Sequence, residues 1–358
     1  MKAAVCHEFG QPLVIEDIPE PSPGPGQVLV SIAACAICHS DVLFMEGAWG
    51  GCLPAVYGHE AAGYVSEVGP GVSNYAPGDA VLVTLIRSCG SCGSCDSGYP
   101  STCETPYDRF LDSPLRTHDD RVIEHGLSTG AFAEKALVHA SQLHPLPPDI
   151  DIRVASLLSC GVITGFGAVM NGGRTRPGST VAVVGTGGVG LNSVQGAAVC
   201  GATKIIAVDI DRSRLEVARS FGATHGVIAS DKTHREIREL TSGRGVDSAF
   251  VTVGSVSAYQ QAQKCLAARG EVVAVGMPPV NDTATWSPMS LAFFGNAIRG
   301  SKMGETILTR DIPALLDLYR QNRLKLDELV TKYYPLNEIN EAVAAMHRGH
   351  VLRNVITF

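Results

Sequence analysis

No run of lysine or arginine occurs anywhere in this chain, and 28 basic against 35 acidic side chains leave a formal charge of -7. Without a basic stripe there is no electrostatic footprint for DNA, RNA or an anionic membrane surface. Small molecules are the expected ligands. No stretch reaches the roughly 20 apolar residues that a bilayer span needs. Near the N-terminus, Glu8, Glu16 and Asp17 stand where a secretory signal requires an unbroken apolar segment, so the expected location is the cytoplasm. Long polar tracts and internal repeats are missing too. Charged residues make up only 18% and hydrophobic ones 45%, the composition of a chain that folds throughout.

At 358 residues the chain exceeds one ordinary core, and a typical domain size of roughly 150 residues predicts two. Up to about residue 160 it reads as β-rich: short alternating runs such as LVIEDI and QVLVSIAACAI are separated by Pro/Gly turns. From about 178 the rhythm changes. VAVVG, IIAVDI, VDSAFVTVG and EVVAVGM alternate with helical segments, which predicts parallel βαβ units and a doubly wound α/β sheet. The tail carries amphipathic segments near 310-322 and 337-347 and a final apolar run, and is expected to rejoin the first domain.

GTGGVG, from Gly185 to Gly190, follows one predicted strand and opens a predicted helix, with Asp209 ending the next strand 19 residues beyond Gly190. Gly185 permits the tight turn, Gly187 lets the backbone approach a pyrophosphate, and Gly190 lets helix and strand pack closely. Asp209 would accept from the ribose hydroxyls and repel a 2'-phosphate, favouring NAD(H) over NADP(H). Arg212 and Arg214 just downstream are cations that could serve such a phosphate, although solvated helix faces carry many like them.

Eleven cysteines in a long chain without a signal segment point to metal binding or catalysis rather than disulfides. Cys89, Cys92, Cys95 and Cys103 follow the spacing C-x2-C-x2-C-x7-C. Four thiolates fill a zinc tetrahedron and leave no place for substrate, so a structural zinc is favoured over an iron-sulfur cluster. A catalytic zinc needs three ligands and an open fourth position. Cys38 in AICHSD, His59 in YGHEAAG and Cys160 in LLSCGVITG are candidates, but spacing alone does not separate them from Cys6, Cys35, Cys52 or His139.

CHSD, GHEAAGYVSEVGPGV, the four-cysteine run, SCGVITG, GTGGVG and RNVITF, in this order, resemble the zinc-dependent medium-chain alcohol dehydrogenases, most of all their class I and class III branch. The resemblance implies a GroES-like catalytic domain over 1-161 with a structural-zinc lobe at 88-104. It implies a Rossmann NAD domain over 162-301 and a C-terminal return over 302-358. It further implies two zinc ions, one held by Cys38, His59 and Cys160 and one by the four-cysteine run. Asp41 matches the carboxylate that orients the ligand histidine, and Glu60 one lying behind the metal. Ser40 matches the group that takes the hydroxyl proton, while Leu43 stands where many members end this relay with a histidine. His39 and Arg353 match pyrophosphate contacts, Thr164 a residue packed on the nicotinamide, and Gly188, Val189 and Arg214 further cofactor positions.

Trp49, Leu85 and Met277 match the substrate pocket and imply a medium-sized primary alcohol or an aromatic aldehyde rather than a sugar. Tyr107 replaces the arginine with which the class III branch binds glutathione, so oxidation of the formaldehyde-glutathione adduct is disfavoured, with Arg109 close enough to keep it in view. A nicotinoprotein that never releases NAD is the other enzymatic alternative. A non-catalytic relative, or a zinc-free quinone reductase, would have lost one of Cys38, His59 and Cys160. The loop from Glu104 to about His125 resembles that of dimeric members and implies a homodimer.

Overall fold

The computed structural model describes every residue except 174 and 350. The chain forms two compact units, Met1–Cys160 with Leu326–Phe358, and Gly161–Lys325.

In the first unit the alternating apolar residues of QVLVSIAACA make the strand Gln27–Ala36, the hub of a seven-stranded sheet. On one side it pairs antiparallel with Glu60–Val68, placing Ala36 opposite Glu60. On its other side the last strand of the chain, Arg353–Thr357, runs antiparallel with Val355 opposite Ala36. The register therefore brings Cys38, His59, Glu60 and Arg353 to one end of the sheet, although they are scattered along the sequence. A second, four-stranded sheet joins Val14–Asp17, Lys2–Cys6, Ala55–Val56 and Glu124–His125. Residues of both sheets share one apolar core with Tyr57 and Phe132 fully buried.

In the second unit six strands pair in parallel, in the order His225–Ile228, Lys204–Asp209, Thr180–Val184, Val246–Val251, Leu266–Ala274, Ala297–Gly300. Counted by sequence this is 3-2-1-4-5-6, the doubly wound order whose strand direction of growth reverses beside the first strand. The central strands are buried on both faces, as the Val/Ile/Ala runs of Thr180–Val184 and Lys204–Asp209 require.

The tail departs from the expectation. Residues 302–325, with the helix Leu308–Arg320, group with the second unit, and only 326–358 return to the first. An amphipathic pattern shows that a helix has an apolar face, here Ile312, Leu315 and Leu316, but not which core covers it. Among the described residues no single helix is long and apolar enough to cross a membrane.

Candidate active site

The helix His39–Met45 starts at Cys38, whose backbone is extended and whose N–H donates to Asp41 Oδ2 at 3.0 Å. An acid at the third helical position reaching back to the cap is a capping box. Here it also serves the site. Asp41 Oδ1 accepts the Gly58 N–H at 2.9 Å and stands 2.9 Å from His59 Nδ1. Gly58 has φ +93, and a Cβ there would lie 2.6 Å from the Phe132 nitrogen. Only glycine brings this turn close enough for its N–H to fix the carboxylate.

With Nδ1 donating to Asp41, the other ring nitrogen of His59 faces inward. It is buried beside the Cys38 thiol and, among the described residues, meets no nitrogen or oxygen partner. Burial opposes a charge on the imidazole, yet the Asp41 carboxylate lifts its pKa well above the ordinary value.

Cys160 closes the set. The Ser159 hydroxyl donates to Ala61 O at 2.9 Å and Ser156 O at 2.5 Å, pinning the turn before Cys160 to the strand that begins at Glu60. Ligand atoms of Cys38, His59, Glu60 and Cys160, all buried, lie within 4.8 Å of one another. A hydrogen bond between the two thiols holds Cys38 well below the ordinary thiol range and Cys160 well above it, against burial for the first and with it for the second.

Burial pushes the Glu60 carboxyl up to about 8, against the Arg353 guanidinium, whose Nε lies 3.3 Å from Oε2. Arg353, assigned by resemblance to a pyrophosphate, is here buried beside Glu60. Two thiols and an orphaned imidazole nitrogen converging without a fourth fixed donor of their kind fit a zinc ion with one open position.

Sγ atoms of Cys89, Cys92, Cys95 and Cys103 also lie within 4.8 Å of one another, with Cys92 and Cys103 3.9 Å apart. Bonds of about 2.3 Å in a tetrahedron set sulfur atoms about 3.8 Å apart. Backbone N–H groups aim at these sulfurs: Ser91 and Cys92 at Cys89, Cys89 at Cys103, and Glu104 at Cys92, at 3.3 to 3.4 Å. The Thr105 hydroxyl, with the Ser91 and Cys92 donors, brings the Cys89 thiol down to about 5. The thiolate, the metal-binding form, is thus favoured at Cys89 and, through the Thr105 and Cys89 N–H groups, at Cys103, while burial pushes the Cys95 thiol up to about 12.

In the second unit, Gly185 has φ +90, and a Cβ on Gly190 would meet Gly185 O at 1.9 Å. At Gly187 a Cβ would meet only Arg214 Nη1, 4.0 Å away. The loop is closed against side chains at its ends and open at its centre, where the helix Gly188–Val199 begins. This is the shape that admits a pyrophosphate to helix N–H groups. Asp209 is buried at the end of its strand.

Of the other expected residues, His39 is exposed in the first helical turn, and Ser40 is half-buried with Oγ 3.8 Å from Cys38 Sγ. Trp49 and Leu85 are half-buried, Trp49 lying edge-on to Phe44 at 5.3 Å. Thr164 and Met277 belong to the second unit. Thr164 Oγ1 lies 3.6 Å from Met303 Sδ, and Met277 is 58% exposed. Sequence reasoning missed Ser159, although the Ser-Cys pair in LLSCG signals it. It also missed the contact between the Tyr107 hydroxyl and His125 Nδ1, 2.6 Å apart, which has no local signature.

The alcohol dehydrogenase GroES-like domain model matches residues 24–148, and the zinc-binding dehydrogenase model residues 188–321. The chain belongs to the zinc-dependent medium-chain alcohol dehydrogenase family. It is 35% identical to the NDMA-dependent alcohol dehydrogenase of Amycolatopsis methanolica, over 99% of this chain and 98% of that one. The structure of an alcohol dehydrogenase zinc-binding domain protein from Burkholderia ambifaria superposes with a TM-score of 0.94 at 35% identity, covering 100% of this chain and 98% of the other. Benzyl alcohol dehydrogenase from Acinetobacter calcoaceticus gives 0.92 at 32% identity, covering 100% and 99%. Membership of this family accounts for both cysteine-bearing clusters and the glycine loop lying on one chain.

Proposed function

We propose that this chain interconverts a primary alcohol, aromatic or of medium length, and its aldehyde, using NAD(H) and two zinc ions. The observation that carries the reading is the buried set Cys38, His59 and Cys160 with its orphaned imidazole nitrogen. A zinc held by Cys38, His59 and Cys160 would supply Lewis acidity, and a nicotinamide on the glycine loop would supply the hydride chemistry.

The chain's own groups do the rest. Asp41 keeps the proton of His59 on Nδ1, so that Nε2 offers a lone pair. Ser40 takes the hydroxyl proton towards the nicotinamide ribose. Leu43 can neither accept nor release a proton, so no histidine at that position continues the relay and the proton would leave Ser40 for solvent. Asp209 would receive the adenosine ribose and Gly187 the pyrophosphate with His39 as its cation, Arg214 stands beside the loop, and Thr164 would pack against the nicotinamide; Arg353, buried against Glu60, is taken out of that role. Trp49, Leu85 and Met277 present apolar surface to the substrate.

Two alternatives are weighed by particular observations. Arg109, a possible anchor for glutathione, lies 3.4 Å from Glu124 and stacks at 4.6 Å over Phe44, so its charge is already answered. Similarity to a relative named for NDMA favours the second, in which NAD stays bound and an external acceptor reoxidises it. We further infer a cytoplasmic location and a homodimer, the latter supported by the exposed edge strand Ala297–Gly300.

The test combines metal analysis with an NADH-absorbance screen of primary, secondary and aromatic alcohols. Benzyl alcohol and NDMA are included, and formaldehyde is run with and without glutathione. About two zinc per chain and activity lost to a strong chelator are expected. Fewer than one zinc with activity intact overturns the reading.

A further inference from the structure

The second position of GTGGVG is Thr186, which is fully buried. Its N–H and its hydroxyl both donate to Asp209 Oδ2, each at 2.8 Å. The other carboxylate oxygen, Oδ1, accepts the Asp211 N–H at 3.1 Å. A carboxylate offers about four lone-pair sites. Three are taken inside the chain, leaving one, on Oδ1, where an adenosine ribose presents two hydroxyls.

The same three donors spread the carboxylate charge, and that charge is what repels a 2'-phosphate at this position. Arg214 pushes in the same direction. Its Nη1 reaches to 4.0 Å from the Cβ position of Gly187. A carboxylate with most of its acceptor sites already occupied and a cation beside the same loop favour the same ligand.

We propose that Thr186 is a positioning residue for cofactor choice: by occupying Asp209 it makes the loop discriminate only weakly between NAD(H) and NADP(H). The proposal rests on reading this loop as a nicotinamide dinucleotide site. Replacing the hydroxyl by a methyl returns a lone pair to the ribose and bares the charge towards the phosphate. Both changes widen the gap between the two cofactors. The Thr186 N–H and the Asp211 N–H remain to hold the carboxylate in place.

The test is direct binding. Zinc-loaded protein freed of nucleotide is titrated with NADH and with NADPH by calorimetry, as wild type, Thr186→Val, Thr186→Ala and Thr186→Ser. Wild type is expected to bind the two within about tenfold of each other. Thr186→Val is expected to raise the ratio of the NADPH to the NADH Kd by about tenfold, the scale of one hydrogen bond to a charged group, and Thr186→Ala likewise. Thr186→Ser, which keeps the hydroxyl, is expected to keep the wild-type ratio.

Melting curves without nucleotide show whether each variant is folded, and Thr186→Ala carries the test if Thr186→Val is not. A wild type that binds NADH a thousandfold tighter than NADPH overturns the proposal, as does a ratio that neither substitution moves. In those cases the dinucleotide reading stands. A wild type that binds neither nucleotide overturns both.

Discussion

Asp41 Oδ1 and His59 Nδ1 stand 2.9 Å apart with neither side chain exposed to solvent. The contact fixes the imidazole tautomer and turns the free nitrogen towards Cys38 and Cys160. Asp41→Asn removes the anion while keeping the size of the side chain. Partners of this kind are worth about 10- to 100-fold in metal affinity. One of the two zinc ions should therefore leave at a correspondingly lower chelator concentration, while the four-cysteine zinc is retained. Equal release of both ions in wild type and variant would show that Asp41 does not act through the histidine.

The two cysteine clusters should fail in different ways. Cys38 lies in a buried set packed into the domain, whereas the helix Gly93–Asp96 in the lobe around Cys92 buries no residue. Cys38→Ser is expected to abolish turnover with a melting temperature within a few degrees of wild type. Cys92→Ser is expected to lower the melting temperature and solubility, because a site that folds a small lobe contributes its binding energy as stability. Metal content, melting curves and alcohol oxidation measured on both variants check the contrast. A Cys92→Ser protein that melts like wild type refutes it.

What could be read from the sequence followed from how far each device reaches along the chain. The four-cysteine run and GTGGVG are local. Metal geometry and the strand-to-helix turn dictate their spacing, so both were legible, as was the alternation of strand and helix that builds the parallel sheet. Cys38, His59 and Cys160 converge only through the register of Gln27–Ala36 against Glu60–Val68, and without family resemblance they look like any other buried residues. The same holds for Arg353 against Glu60 and for Thr186 against Asp209, pairs 293 and 23 residues apart. The tail was misjudged at 302–325 because its helix pattern names no partner.

His125 gives a pH dependence with a defined sign. It is fully enclosed, and burial brings its pKa from 6.5 down to about 4. The folded state then holds the ring neutral where the unfolded chain protonates it. Stability from this group is complete above pH 6.5 and is lost as pH falls towards 4. The full difference, about 2.5 pH units, corresponds to about 3 kcal/mol. Urea unfolding at pH 7 and pH 4.5 should show wild type losing more stability than His125→Gln, whose side chain cannot titrate and can still accept from the Tyr107 hydroxyl. Parallel losses in the two proteins would place the titration elsewhere.

The proposed dimer makes its claim at the last strand of the second unit's sheet. Among the described residues, Ala297–Gly300 pairs on one side only, with Leu266–Ala274. Its Ile298 is 42% exposed, and Phe293 in the helix Pro288–Phe294 is 75% exposed. A free strand edge with apolar side chains beside it invites another strand, and a second copy related by a two-fold axis offers the same edge in antiparallel orientation. Lysine on such an edge blocks pairing at little cost to the sheet that carries it. Ile298→Lys combined with Phe293→Glu is therefore expected to convert a dimer into monomers in sedimentation velocity, with the melting of the monomer still cooperative. A variant that sediments like the wild-type dimer would move the interface to another surface, and a wild type that sediments as a monomer at micromolar concentration would remove the dimer altogether.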